Sequence, residues 1–506
     1  MQLTALTFLI FLLIVFSIYY IVPKKFQWTI LLLSSAFFLF YKSFSLDIII
    51  EVLIVLFGTY FSTRLIEKYP KKSKLFFLLG LFVILGQLVY LKYTNLFLDI
   101  FNFFIHIFND NFSFEHVHRL SPAGTSYYSL VMIGYLIDVY NKKIPAQKNI
   151  FKCMLFMSYF PIVPSGPFIR YNDMSTKLYE GHKFEYKNFV YGFVKMLFGF
   201  FEILVISERL SKIVNFIYAD YTLYTGPFIL LGAICFVLQL YTNFKGSIDI
   251  IMGASEMLGI MLPENFKTPF FSRTIEEFWR RWHITLGAWI RDYVFYPLCL
   301  SNWNRKLGNF LEKHISKNVA RKIPMYISLF IMWIVVGAWH GGAFTIIIGS
   351  GILQFIYILC EQLLGPVMKK VYAFLHIKTD VFSFRLYQRI RTFLLFAFAL
   401  IFFRATSVEN AFALIHSLFS IDVNTIKDAA GVFNPIDIPD VIVLLISLVA
   451  LFVIELLKQS GDVRDKLFNQ NLLFRYFIIL LLLFSIIIFG CYGPGFDATT
   501  FIYNQF

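Results

Sequence analysis

The chain has few charged side chains: Asp, Glu, Lys and Arg make up only 15% of its 506 residues, while 58% are hydrophobic. A soluble globular domain carries about a quarter charged residues. No polar linker separates the apolar runs that recur along the sequence, and lipid is the natural solvent for such runs. The scarcity of charge therefore excludes an ordinary soluble enzyme.

The signatures of common soluble catalysts are also missing. The sequence contains no Gly-x-Ser-x-Gly nucleophile elbow, no His-Glu-x-x-His zinc motif and no P-loop. Its five cysteines are scattered without Cys-x-x-Cys spacing, so no disulfide framework or zinc site is predicted. The formal net charge of +14 has no accompanying nucleic-acid-binding motif. We expect no bound metal or cofactor and no nucleic-acid partner.

The apolar runs predict an all-α integral membrane protein, organised as one polytopic domain over residues 1–506. Counting runs of about 17 residues or more gives about 11–13 transmembrane helices, with shorter pieces left over as re-entrant or interfacial helices. The runs include 151–168 and 225–242, and 247–262 is one of the shorter pieces. Membrane lipid is therefore an expected partner.

The basic residues predict the orientation in the membrane. Lys24 and Lys25 follow the first apolar run, and a basic cluster over 64–74 follows the third. Basic loops stay cytoplasmic, so these two positions agree if the N-terminus is extracytoplasmic. The first 22 residues lack a basic start and a small-residue cleavage site, which indicates a retained helix rather than a signal peptide. We expect a multi-pass protein of the plasma membrane.

Segment 265–300 interrupts the apolar pattern with charged residues set among aromatic ones. It is too polar to face lipid and too apolar for an ordinary loop, which is typical of a re-entrant or interfacial element. Helical spacing predicts that Glu276 and Glu277 pair with Arg280 and Arg281, and that His283, Gly287 and Arg291 share one helix face. An amphipathic helix with snorkelling arginines is the alternative.

His340 is the first candidate for chemistry because it lies inside an apolar run extending from Ile327 to Ile348. Ionisable side chains inside membranes tend to be functional, and a neutral imidazole can accept a hydroxyl proton near physiological pH. Gly337 and Gly341 remove side-chain bulk around it and would let a substrate approach the ring. A histidine hydrogen-bonded within a helix bundle is the alternative.

Four blocks together resemble the membrane-bound O-acyltransferase family, and most closely its bacterial alginate O-acetylation branch: 263–266, 278–283, 291–293 and 337–341. Their sequences are Pro-Glu-Asn-Phe, Phe-Trp-Arg-Arg-Trp-His, Arg-Asp-Tyr and Gly-Ala-Trp-His-Gly. The resemblance extends over roughly residues 50–410, the expected acyltransferase core. Further apolar runs over 441–491 are expected to form extra C-terminal helices.

The resemblance implies helices around a central funnel or tunnel, and transfer of an acyl group from a cytoplasmic thioester to a hydroxyl reached from the other side. It makes His340 the catalytic residue and places His283 in the same site. The donor is expected to be acetyl-CoA or an acyl-carrier thioester. Residues expected to line the substrate channel or support the site are Trp282, Trp339, Arg280, Arg281, Arg291, Asp292 and Asn243.

One departure from the family pattern lies just before these motifs. Relatives often have Asp-Phe-Ser-Gly-Tyr where this chain has Asn-Phe-Lys-Gly-Ser over 243–247. Asn243 cannot act as an anion, and Lys245 inverts the local charge. We therefore expect an acceptor or partner that differs from alginate and its export machinery.

The acyl group is expected to be acetyl and the acceptor an extracellular polysaccharide or cell-wall polymer. An extracytoplasmic acyltransferase or a polysaccharide-export protein is the expected partner, and an acyl carrier protein is a further one. One alternative is D-alanyl transfer to teichoic acid, since that branch also resembles the Ser165-Gly166-Pro167 region. An alternative of another class is a transporter or flippase for a lipid-linked sugar, which predicts inverted repeats.

Overall fold

The computed structural model describes residues 1–41, 44–108, 112–117, 122, 124–219, 224–420 and 436–493. Every regular element in these ranges is a helix, which confirms the predicted all-α class. The helices are α1 (Leu6–Ile21), α2 (Lys24–Phe40), α3 (Leu46–Lys68), α4 (Pro70–His106), α5 (Thr125–Tyr140), α6 (Ile150–Ser158), α7 (Tyr171–Tyr179), α8 (Tyr186–Ala219), α9 (Pro227–Met257), α10 (Ile275–Arg281), α11 (Ile284–Ile290), α12 (Asn302–Leu311), α13 (Lys317–His340), α14 (Phe344–Phe374), α15 (Phe382–Arg404), α16 (Val408–Leu418), α17 (Ile438–Lys458), α18 (Val463–Phe468) and α19 (Leu472–Phe489).

Nine helices in the described ranges are long and apolar enough to cross a membrane: α3, α4, α8, α9, α13, α14, α15, α17 and α19. The predicted total of about 11–13 also counted apolar runs that the structure builds as shorter helices, such as the 16-residue α1 and α5. The protein is therefore a multi-pass membrane protein.

Proline placement decides where one predicted span stops. The apolar run over 151–168 forms a helix only as far as Ser158. Pro161, Pro164 and Pro167 follow within nine residues, and proline lacks the amide hydrogen and crowds the preceding turn. By contrast, the run 225–242 and the short piece 247–262 are connected by the single 31-residue helix α9, which begins at Pro227 and ends at Met257.

The chain divides into two compact units. Unit 1 comprises residues 1–196 and 247–263, and unit 2 comprises 197–246 and 264–506. Within unit 1, α3 and α4 pack closely because Gly80 leaves room for the Ser62 side chain: a Cβ at Gly80 would lie 2.7 Å from the Ser62 Oγ. The single-domain organisation, the core over about 50–410 and the role of 441–491 as added helices stay predictions.

Unit 2 contains the histidine motifs. Helices α10 and α11 meet at His283. Helix α10 has seven residues, and α11 continues through the π turn Arg291–Phe295 into the short helix Tyr296–Cys299, so the continuous helical segment is 284–299. Both segments are shorter than the about 17 residues that a membrane span needs. Helix α13 ends at His340, and α14 follows it after three residues. The C-terminal helices are held to α8 by Arg209, which pairs with Asp440 at 2.8 Å and donates to the Phe489 carbonyl at 2.7 Å.

Candidate active site

His340 lies at the C-terminal end of α13 and is buried. Its ring centroid is 5.0 Å from that of Trp339 and 6.4 Å from that of Phe403 on α15. The negative end of a helix dipole stabilises a cation in the last turn by about 0.3–1 kcal/mol, and by more where solvent is excluded. The position therefore favours an imidazole that accepts a proton during a reaction.

His283 links α10 to α11 in an unusual backbone conformation. Its φ of 47° and ψ of 50° place it in the left-handed region, which a residue with a Cβ adopts at a cost of about 1–2 kcal/mol. The predicted helix face shared by His283, Gly287 and Arg291 is therefore wrong, because the helix breaks at His283. The buried imidazole instead meets the Phe244 ring edge-on, with centroids 4.9 Å apart.

Asn265 holds this break in place. Its main-chain carbonyl accepts a hydrogen bond from the Ile284 amide at 3.0 Å. Its side-chain Oδ1 accepts from the Thr285 amide at 3.1 Å and from the Thr285 hydroxyl at 2.8 Å. These bonds offset the strain at His283 and fix which end of the Asn265 amide is the oxygen.

The same oxygen determines the tautomer of His283. The Asn265 Oδ1 lies 3.2 Å from the His283 Nδ1 and can only accept, so Nδ1 carries the hydrogen. The lone pair of the neutral ring is then on Nε2, the nitrogen that can act as an acceptor. The Nδ2 of Asn265 is buried and has no hydrogen-bond partner within the described part of the chain.

Both histidines lie close to the indole ring of Trp339. Its ring centroid is 5.7 Å from that of His283 and 5.0 Å from that of His340. Burial lowers the pKa of His283 well below its usual range, and a positive charge on nearby His340 lowers it further. At neutral pH His283 is therefore uncharged, and its Nε2 carries no proton.

A small cavity of ≈ 10 Å³ adjoins His340, about the space that one water molecule needs. Its walls are mainly aromatic and aliphatic side chains, including Trp279, Trp282 and Phe403. Gln354 makes hydrogen bonds to two residues that line this cavity. Its Oε1 accepts from the Trp279 indole at 3.0 Å, and its Nε2 donates to the Gly349 carbonyl at 3.1 Å. This apolar setting limits access of water to His340.

The glycines of the second motif pack helices rather than leaving room for a substrate. A Cβ at Gly337 would lie 3.0 Å from the Cα and carbonyl oxygen of Ile347, and one at Gly341 would lie 2.5 Å from the Ile346 Cδ1. Gly351 faces Gly337 from the other helix, and a Cβ at Gly351 would lie 2.7 Å from the Trp333 carbonyl oxygen. The expectation that these glycines open a path to His340 is wrong.

The charged residues of segment 265–300 form local pairs, as their spacing predicts. Arg280 pairs with Glu276 at 3.1 Å, and Arg281 pairs with Glu277 at 2.6 Å. Arg281 also donates to the Thr268 hydroxyl at 3.2 Å, which joins α10 to the preceding turn. Both arginines lie outside the His340 cavity.

Arg291 and Asp292 pair with each other at 3.2 Å in the π turn Arg291–Phe295 that follows α11. Asn243 is buried on α9 directly before Phe244, the residue that contacts His283. Trp282 is buried in an aromatic cluster that includes Phe244. The roles of these residues stay predictions.

The unusual Lys245 is neutralised inside unit 2. Its Nζ donates to the Glu202 Oε1 at 2.8 Å, and both side chains are almost fully buried. The Nζ also lies 4.7 Å from the centroid of the Phe198 ring, a cation–π distance. The inverted charge of the 243–247 segment therefore has a carboxylate partner on α8.

Sequence reasoning assigned no role to Asn265 or Gln354, although both position residues around the histidines. Asn265 belongs to the first of the four motif blocks, so its place in the motif was the available signal. Gln354 is a polar residue in the apolar helix α14, and such residues are costly unless they are hydrogen-bonded. Only the tertiary contacts show which groups they bind.

Known proteins resemble this chain over most of its length. The model of the membrane-bound O-acyltransferase family matches residues 137–302. A probable alginate O-acetylase of Pseudomonas putida is 30% identical over 415 residues, covering 81% of this chain and 78% of that protein. A peptidoglycan O-acetyltransferase of Helicobacter pylori is 25% identical over 398 residues, covering 73% and 69%. A teichoic acid D-alanyltransferase of Bacillus subtilis is 28% identical over 255 residues, covering 50% and 61%.

The matched stretch with the Pseudomonas putida protein is long enough to assign the family, and the all-helical membrane fold agrees with it. The Pseudomonas putida and Helicobacter pylori relatives are described as O-acetylating enzymes, and the family as O-acyltransferases. This chain belongs to the membrane-bound O-acyltransferase family and is an O-acyltransferase.

Proposed function

We propose that the protein transfers an acetyl group from a cytoplasmic thioester donor to a hydroxyl of an extracellular polysaccharide or cell-wall polymer. The observation that carries this proposal is the pair of buried histidines that both lie close to Trp339, with an apolar cavity beside His340. The similarity to alginate and peptidoglycan O-acetylating proteins supports acetyl as the group and a surface glycan as the acceptor.

In the proposed reaction, His340 takes the proton of the acceptor hydroxyl while the hydroxyl oxygen attacks the thioester carbonyl. A carbon–oxygen ester bond forms and the carbon–sulfur bond breaks. The proton on His340 then passes to the departing thiolate, so the residue ends as it began. The aromatic walls keep water from competing with the hydroxyl for the carbonyl.

His283 supports this step through its Nε2 lone pair, which can accept a hydrogen bond from the acceptor hydroxyl or from a protonated His340. Asn265 keeps the ring in the required tautomer by accepting the Nδ1 hydrogen. In other catalytic histidines, too, the hydrogen bond made by one ring nitrogen determines which protonation state the other nitrogen has.

The donor in this proposal is acetyl-CoA or an acyl-carrier thioester, which reaches the site from the cytoplasm. The basic loops lie on that side of the plasma membrane, and the N-terminus is extracytoplasmic. An extracytoplasmic acyltransferase or a polysaccharide-export protein completes delivery to the polymer, and an acyl carrier protein is the partner if the donor is carrier-bound.

D-Alanyl transfer to teichoic acid is the second candidate, favoured by the similarity to the Bacillus subtilis teichoic acid D-alanyltransferase over half of this chain. It needs the same histidines and differs in the group carried by the thioester. The acid released from the polymer distinguishes the two.

The test compares cells that make the protein with cells that make His340→Gln at equal membrane level. Surface polymers are treated with mild base, and the released acid is identified by mass spectrometry. Loss of a positioned general base reduces rates about 10²–10⁴-fold, so acetate should fall to background. His314→Gln, which changes an exposed histidine, is the control and should leave acetate unchanged. Loss of alanine supports the second candidate, and unchanged release of both acids refutes catalysis by His340.

A further inference from the structure

Arg404, the last residue of α15, carries a guanidinium group that contacts two aromatic rings. Its Cζ is 5.5 Å from the ring centroid of Tyr218 on α8 and 5.6 Å from that of Phe236 on α9. Both are cation–π distances, and Phe236 is fully buried. Residues from three helices, all within unit 2, therefore hold this one cation in place.

The Arg404 guanidinium has more donors than the protein uses. An arginine carries five N–H groups. Within the described ranges, the one hydrogen bond of this guanidinium runs from its Nη2 to the Asn215 Oδ1 at 3.0 Å. The Nε is buried without a hydrogen-bond partner, and no carboxylate in those ranges pairs with Arg404. A cation kept in a membrane protein without a counter-ion is costly, which favours a role in binding.

The hydroxyl of Tyr218 is a second unused polar group at the same place. It is buried and has no hydrogen-bond partner in the part of the chain that the structure describes. Its ring packs closely on α9 at Gly232, where a Cβ would lie 3.1 Å from the Tyr218 Cε2. A hydroxyl and a guanidinium can both donate to an oxyanion, and the positive charge of Arg404 strengthens such bonds.

This site lies one helical turn from the His340 cavity along two helices. Leu240 of α9 and Leu400 of α15 line that cavity. Phe236 precedes Leu240 by four residues and Arg404 follows Leu400 by four, so the members of each pair share a helix face. One turn is about 5.4 Å along the axis, comparable with the length of a single sugar residue.

The end of α15 that carries Arg404 is the end predicted to face the extracytoplasmic side. The first ten residues of this helix contain Arg385, Arg389 and Arg391, and basic helix ends stay cytoplasmic. A polymer that approaches from outside would therefore meet Arg404 before it meets His340.

We propose that Arg404 and Tyr218 bind an anionic group of the acceptor polymer and so position its hydroxyl at His340. This inference rests on the proposed acyl transfer to a surface polymer and adds the chemical class of that polymer. The anionic group is a carboxylate, as in a uronic acid, or a phosphate, as in a polyol phosphate chain. A guanidinium binds either group with two parallel hydrogen bonds.

The first experiment asks which polymer receives the acetyl group. Surface polymers are collected soon after induction of the protein, separated by anion exchange and treated with mild base to release acetate. Acetate that depends on His340 should be in the anionic fraction. Arg404→Gln should lower it about 10–100-fold, and Tyr218→Phe about tenfold, through loss of bonds to a charged group. His340-dependent acetate in the neutral fraction, or full acetylation by Arg404→Gln, overturns the proposal.

Arg475→Gln is the matched control. Arg475 on α19 also contacts two aromatic rings, those of Phe468 at 5.3 Å and Tyr476 at 5.6 Å, but it lies away from the His340 cavity. This variant should leave the acetate unchanged. Arg404→Lys keeps the positive charge without the planar fork, so it should restore part of the acetate that Arg404→Gln loses.

A binding measurement separates recognition of the acceptor from a structural role. Full-length His340→Ala protein in nanodiscs of zwitterionic lipid is titrated with the anionic polymer fraction, and thermal midpoints are recorded. Adding Arg404→Gln should weaken binding about 10–100-fold and leave the midpoint as in the His340→Ala parent. A lowered midpoint with unchanged binding assigns Arg404 to structure and overturns the proposal.

Chemical treatment of the same fraction identifies the anionic group. Methyl esterification removes the charge of carboxylates, and hydrofluoric acid removes phosphate. Loss of Arg404-dependent binding after the first treatment identifies a carboxylate, and loss after the second identifies a phosphate. If neither treatment weakens binding, the proposal is overturned.

Binding and transfer together distinguish this inference from the proposed function. If acetyl transfer depends on His340 but not on Arg404, the proposed function stands and the anion site fails. If the anionic fraction binds in an Arg404-dependent way but no acyl group is transferred to it, the anion site stands and the proposed function fails.

Discussion

Replacing Asn265 with aspartate tests how the site controls the proton on His283. Asn265→Asp keeps the size of the side chain and its acceptor, but places a negative charge about 3.2 Å from the His283 Nδ1. At an effective dielectric constant of about 20, two unit charges at this distance interact by about 5 kcal/mol. Burial of the carboxylate opposes part of that gain, so we expect the pKa of His283 to rise by about 1–3 units.

The direction of the effect follows from the starting state. Burial lowers the pKa of His283 well below its usual range, so the parent ring is neutral across the neutral and mildly acidic pH range. Raising that pKa protonates Nε2 at a pH where the parent leaves it unprotonated. The acid limb of the kcat/KM profile should therefore move to higher pH by about 1–3 units, with activity recovering at alkaline pH.

The assay follows acetyl transfer by the purified protein in nanodiscs from pH 5 to pH 9, at equal protein and with thermal stability recorded for each variant. Asn304→Asp is the control for a newly buried carboxylate: Asn304 is buried, donates to the Pro324 carbonyl and the Ser328 hydroxyl, and lies away from the histidines. It should lower stability without moving the acid limb. If Asn265→Asp instead lowers kcat/KM by the same factor at every pH, the proposed control of the His283 tautomer by Asn265 is refuted.

Three other sets of contacts give further predictions. Asp440→Asn removes the anion that pairs with buried Arg209. The free energy of unfolding in detergent should fall by about 1–3 kcal/mol. The loss is smaller than for a fully buried pair because the Asp440 side chain is partly exposed. Gly337→Ala should force α13 away from α14, at a cost of about 1–3 kcal/mol, and so lower both the thermal midpoint and the transfer rate. Gly365→Ala on α14 is the control. An added Cβ there has no atom within 4 Å, so neither quantity should change. Gln354→Leu leaves two buried groups without their bonds and should destabilise by about 2–3 kcal/mol; an unchanged midpoint contradicts the described hydrogen bonds.

The sequence alone determined the features that depend on local order and composition. Apolar runs long enough to span a bilayer predict helices, because every backbone polar group in lipid must be bonded within its own segment. The pairs of Glu276 with Arg280 and Glu277 with Arg281 follow from spacing on one helical turn. The motif blocks likewise predicted the family that the relatives confirm.

Only the tertiary structure decided how the site is assembled. The helix breaks at His283 because Asn265, 18 residues earlier, accepts hydrogen bonds from the Ile284 and Thr285 amides, which in an unbroken helix would bond to carbonyls of the preceding turn. Gly337 packs against the backbone of α14, and Arg209 pairs with Asp440, which lies 231 positions later in the sequence. Helical periodicity describes neighbours within a few turns, whereas these contacts arise from how distant helices pack, so no local pattern could predict them.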